Sequence, residues 1–83
     1  MQELVEDVLS AWREGERLLE ELPPIGTDHE IVRLAVAVLH VQYISLTAAS
    51  GESFAALGAS RERIEDAHAV IRQARARLDR TGS

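Results

Sequence analysis

Residues 27–50, TDHEIVRLAVAVLHVQYISLTAAS, constrain this chain more than any other stretch. As a helix they would run about 36 Å and be apolar on nearly every side, which a helix lying on a protein surface is not. The one continuous polar stripe is Glu30, Arg33, Ala37, His40, Ile44 and Thr47, and even it contains an alanine and an isoleucine. Two oily rows flank it. One is Ile31, Leu34, Val38, Val41, Ser45 and Ala48; the other is Val32, Val36, Leu39, Tyr43 and Leu46. Residues three and four apart share a helix face, so each row offers a seam to a separate neighbour. The stretch reads as the central post of a helical bundle.

The rest of the chain must supply that bundle from 83 residues. That is one domain, and a domain this small removes only about 60% of its unfolded surface from water. There is no cysteine to staple it, which fits a reducing compartment. The start, MQELVEDVL, carries carboxylates where a signal peptide needs bases, and no apolar run approaches the roughly 18 residues a membrane span requires. These features set the expectation of a cytoplasmic protein with no membrane partner. Association with itself is the remaining way to stabilise a small helical core, so a homodimer is expected.

Residues 2–22 place Leu4, Val8, Ala11, Gly15, Leu18 and Leu22 at steps of four and three, broadened by Val5, Leu9, Trp12 and Leu19. This is an amphipathic helix with a heptad-like seam. Gly15 sits on the seam, where it costs about 1 kcal/mol of helix propensity but lets another backbone come close. Pro23-Pro24 ends the helix. Thr27 and Glu30 have the spacing of a capping box at the start of the next one. The four-residue connection makes an antiparallel hairpin. Ser50-Gly51 suits a helix C-terminus, residues 53–58 suit a short helical turn carrying Phe54 and Leu57 over the bundle end, and a third helix follows over about 60–80. Residues 81–83 should fray.

Net charge is −5, unevenly placed: residues 1–30 hold nine acids and two arginines, residues 61–83 six arginines and four acids. In an up-down-up bundle Glu20 and Glu21 would lie at the same end as Arg75, Arg77 and Arg80. Such exposed pairs contribute only about 0–1 kcal/mol each.

Chemistry-bearing motifs are sparse. Glu65 and His68 have the Glu-x-x-His spacing by which carboxylate bundles present metal ligands on one helix face, but the central helix has no acid after Glu30 to complete such a set. No metal or cofactor is therefore expected. His40, three residues before Tyr43, is the histidine best placed for a polar role inside a helix pair. Glycine-rich phosphate loops are absent, and no serine, histidine and acid are spaced to suggest a hydrolase; the chain is not expected to be an enzyme.

One segment resembles a known family. Ala56-Leu57-Gly58-Ala59-Ser60-Arg61-Glu62-Arg63-Ile64 is similar to the turn and recognition-helix start in the helix-turn-helix of bacterial sigma factor region 4, where a short helix ends in Leu-Gly-x-Ser-Arg-Glu-Arg. The resemblance covers nine residues and implies DNA binding by a helix-turn-helix within 53–70, with Arg61 and Arg63 as contact residues. The segment departs from the family's pattern at Ser53 and Phe54. Its continuation through Glu62, Glu65 and Asp66 offers phosphates the wrong sign.

The chain is thus expected to be all-α: a long antiparallel helical hairpin plus a third helix, closed into a larger bundle by dimerisation. The expected activity is protein–protein interaction, as an adaptor, regulator, inhibitor or assembly component. Self-association is assigned to Leu34, Val38, Val41 and Tyr43, and a partner protein to Trp12, Arg33 and His40. Helix-turn-helix DNA binding stands second and a metal-binding bundle through Glu65 and His68 third.

Overall fold

A computed structural model of the chain describes the backbone of residues 2–48 and 54–82 and the side chains of residues 3–47 and 58–81. Three helices account for these elements: α1 (Gln2–Glu21), α2 (Thr27–Ala48) and α3 (Phe54–Gly82). They form an up-down-up bundle, a rod of 46 × 18 × 17 Å.

The α1 helix ends where the two prolines forbid another turn. Its final hydrogen bond, from the Leu22 amide to the Leu18 carbonyl at 2.9 Å, is made just before them. At the start of α2 the Glu30 amide donates to the Gly26 carbonyl at 3.2 Å. The Glu30 carboxylate does not turn back to Thr27 as a capping box requires. It accepts from Arg33 at 3.1 Å one turn along the helix, because an oppositely charged neighbour at i+3 competes for the same oxygens.

Leu4, Val8, Ala11 and Leu18 of α1, and Leu22 just past its end, all point into the core, as their spacing foretold. They meet Val32, Ala35, Leu39 and Leu46 of α2 and Ile64, Ala67, Ile71 and Ala74 of α3. Val8, Leu18, Val32, Leu39 and Ile71 are wholly buried, each worth about 1.5–3 kcal/mol relative to an exposed side chain. The small residues Ala11, Ala67 and Ala74 let the helices pack closely where α3 has little bulk to offer.

Two links fix α3 alongside α1. His68 and Glu14 meet at 2.9 Å, and Arg75 donates to Glu21 at 2.9 Å. Both pairs are 54 residues apart, and a constant offset is what two parallel helices in one register produce. The expected approach of Glu21 to Arg75 is thus observed. Arg77 instead crosses to α2, donating from Nε to Asp28 at 3.0 Å.

Three local expectations need correction. The separate turn over 53–58 and a third helix beginning near 60 are replaced by one helix from Phe54. Gly58, Ala59 and Ser60 lie inside it, and Ser60 is buried, so the segment is held by packing in a helix that propensity alone favours little. The side chains of Phe54 and Leu57 and the proposed C-cap at 50–51 lie outside the described residues. At the other end α3 continues through Gly82, past the position where fraying was expected. The third correction concerns α2. Against the expectation that no apolar run approaches the length of a membrane span, Thr27–Thr47 has a mean hydropathy of 1.3 and is long and apolar enough to cross a membrane by length and composition. In this bundle the same residues supply one core row.

Candidate functional interface

The structure separates the two apolar rows of α2. Val32, Leu39 and Leu46 are buried, with Val36 and Tyr43 packed half-buried beside them, so this row is the one used within the molecule. The other row faces out. Leu34 is 62% exposed, Val41 57% and Val38 38%, and Ile44, an isoleucine in the nominally polar stripe, is 50% exposed. Four large aliphatic side chains on one helix, with no charged residue between Arg33 and the end of the helix, form a continuous oily ridge. Scattered exposed apolar residues are ordinary on a soluble protein, but a contiguous stripe marks a surface that meets something.

Beside that ridge, α2 and α3 leave an open groove. Ile31, Leu34, Ala35 and Val38 form one wall, and Ala67 and Val70 the other, with Arg63 and Asp66 on its rim. The groove is predominantly apolar, with a cation and an anion one helical turn apart on α3.

On the opposite flank of the ridge lies the aromatic edge of the α1–α2 contact. The Trp12 ring centroid is 4.9 Å from His40 and 5.8 Å from Tyr43, the latter edge-on. Trp12 Nε1 donates to Glu16 at 2.9 Å. Trp12 is half-buried and rests on the core, while His40 is exposed. Arg33 is held by Glu30 through a pair in which both side chains are 62% exposed.

The residues assigned from sequence are therefore divided. Leu34, Val38 and Val41 share the exposed ridge. Tyr43 does not: it sits about half a turn away, against Trp12, because the second row of α2 is already committed to α1. Trp12 and His40 are together, and Arg33 lies on the same side of α2 two turns toward its start. Sequence reasoning passed over Ile44, whose exposure follows from a helical step of three from Val41, and the rim pair Arg63 and Asp66, which no pattern within α3 connects to α2.

The remaining candidates are placed as follows. His68 is part-buried against Glu14 of α1, and Glu65 lies exposed at the crevice beside it. Among the described residues no three histidines, cysteines or acids converge in a group able to hold a metal ion. Arg61 and Arg63 are exposed on α3, but the turn that a helix-turn-helix requires at Gly58 is helix here. Arg75 holds the Glu21 carboxyl below its ordinary range, chiefly by direct hydrogen bonding.

Compared with protein-family models, curated proteins and solved structures, the chain shows no significant match to any of them. The class of molecule rests on its own geometry: a three-helix bundle that presents one apolar helix face to its surroundings.

Proposed function

We propose that this chain is a non-enzymatic protein–protein interaction module that works as a homo-oligomer, serving as an adaptor, regulator, inhibitor or assembly component. One observation carries the reading: the ridge of Leu34, Val38, Val41 and Ile44 is exposed although α2 already has a complete core row on its other side. A second full row of branched aliphatic residues is superfluous for a three-helix monomer. Covering it removes apolar area at about 25 cal/mol per Å².

The ridge serves self-association, and the edge formed by Trp12, His40 and Arg33 serves a further protein. Half-exposed tryptophan and accessible arginine are the residue types that anchor interfaces, since they combine large contact area with directed hydrogen bonds.

The test is the mass in solution of the wild-type chain and of Val41→Arg, measured by light scattering behind size exclusion. The expected result is an oligomer for the former and a folded monomer for the latter, with unchanged helical circular dichroism. A wild-type chain that stays monomeric throughout the micromolar range defeats the homo-oligomer reading. For the second surface, Trp12→Ala should abolish capture of a stoichiometric partner from a source lysate while Val41→Arg retains some of it.

A further inference from the structure

The spacing of the exposed row is symmetric under reversal. Leu34, Val38, Val41 and Ser45 are separated by steps of four, three and four. Turned end over end, the row superposes on itself, with Leu34 opposite Ser45 and Val38 opposite Val41. We propose that the occupant of this face is a second copy of the chain, packed with its α2 antiparallel to the first, and that Arg63 of each copy pairs with Asp66 of the other. The inference rests on the self-association reading above and specifies its geometry.

Charge selects this arrangement. A parallel pairing of the two α2 helices sets Glu30 against Glu30, Arg33 against Arg33, and one helix dipole alongside another of the same sense. The antiparallel pairing separates all three. Between Leu34 and Thr47 the helix carries no charged residue, so two molecules of net charge −5 meet on a neutral strip. Half of the acids lie on α1, which packs on the other side of α2.

The groove supplies the second element. Asp28 of α2 pairs with Arg77 of α3, which sets the antiparallel register of these two helices. Counting about eleven residues inward from each end of that pair, at 1.5 Å per residue, puts the midpoint of Val38 and Val41 level with Glu65 and Asp66. A two-fold axis perpendicular to both α2 helices and passing between them at that level is therefore level with Asp66 and within one helical turn of Arg63 along the bundle. Reversal brings each arginine opposite the other copy's aspartate, and it does so twice. The alternative stacking, α2 of one copy on α3 of the other, sets the same two charges against the valines and strands them.

Area is sufficient. The α2 helix is about 33 Å long, and multiplied by the 18 Å breadth of the rod it gives a face of roughly 600 Å² per molecule. That approaches the ~800 Å² per partner of a standard stable interface.

The chain lacks cysteine, so introduced thiols report geometry without background. Leu34→Cys and Ser45→Cys are prepared singly with distinguishable tags, mixed, and oxidised mildly. The expected outcome is a disulfide between Cys-bearing copies of different type, and almost none between copies of the same type. In the antiparallel dimer like positions are about 16 Å apart, beyond the ~7 Å limit of a disulfide. Cross-linking of Leu34→Cys to itself shows a parallel dimer and overturns the proposal. If the wild-type chain is a dimer and the cysteine variants, themselves dimeric, form no cross-link of either kind, the proposal is also overturned, while self-association through another face stands. A wild-type monomer overturns both, and its flotation with phosphatidylcholine vesicles would assign the ridge to lipid instead.

The rim pairs are tested independently. Arg63→Glu and Asp66→Arg should each weaken the dimer about tenfold by opposing like charges, and the two together should return it to within about twofold of wild type. Both sites are exposed, so circular dichroism of each single variant should match the parent. If the double variant is as weak as the product of the singles, the reciprocal pairing is wrong.

Discussion

Gly15 of α1 lies directly against Val36 of α2: a Cβ built on the glycine falls 2.6 Å from Val36 Cγ2 and 3.0 Å from Ile71 Cδ1. All three helices meet at this point. Gly15→Ala gains about 1 kcal/mol of helix propensity but overpacks the core, at about 1–3 kcal/mol. Val36 is β-branched and stiff about χ1 in a helix, so it yields poorly. The expected balance is a loss of about 1 kcal/mol, read from urea denaturation followed by circular dichroism. A stabilised variant would mean that the helices are farther apart here.

Gly58 provides the opposite case. It lies inside α3, nothing stands within 4 Å of where a Cβ would go, and its backbone is not left-handed. Gly58→Ala should stabilise the protein by up to about 1 kcal/mol, the propensity difference between the two residues. In a helix-turn-helix the same change would fall in the turn and destabilise. The sign of this one substitution thus distinguishes a continuous α3 from the arrangement that the sigma-factor-like segment suggests.

Leu39 and Leu34 separate folding from association. Leu39 is fully buried, and Leu39→Ala should cost about 2–5 kcal/mol of stability. Leu34 is 62% exposed, so Leu34→Ala should change the folding stability of the isolated molecule by within about 0.5 kcal/mol. Its effect belongs in the concentration dependence of the melting temperature, which an oligomer shows and a monomer does not. Melting curves over a hundredfold range of concentration make the comparison.

The Glu21–Arg75 pair predicts a response to acid. Hydrogen bonding to Arg75 lowers the Glu21 carboxyl from its ordinary value of 4.5. A carboxyl lowered on folding contributes stability that is fully present above the unfolded value and is lost as pH falls through the folded one. Denaturation of wild type and Glu21→Gln should therefore differ at neutral pH, and the difference should shrink only as pH falls below 4.5 and through the lowered folded value. Equal differences at every pH would show that the ion pair contributes nothing, as many exposed pairs do.

How far these features were legible varies with the range of the interaction. The heptad-like positions of α1 were buried as read, because an amphipathic pattern carries its own inside and outside. The hairpin followed from Pro23 and Pro24, which act on the chain locally. The course of α3 from Phe54 was not legible. Gly58 and its small neighbours signal a break by propensity, and the packing of Ser60, Ile64 and Ala67 against the other helices outweighs a signal of about 1 kcal/mol.

The division is sharpest in α2. By itself the sequence determined that this helix has two apolar rows and a weak polar stripe, since periodicity is a property of the residues alone. Only the tertiary structure decided which row is spent inside the molecule. Both rows are chemically equivalent partners for an oily neighbour, and the choice depends on the direction from which α1 and α3 arrive, with Trp12 and Gly15 on one flank and Ala67 and Ala74 on the other. That choice buries Leu39, turns Tyr43 toward Trp12, and leaves Leu34, Val38, Val41 and Ile44 facing out.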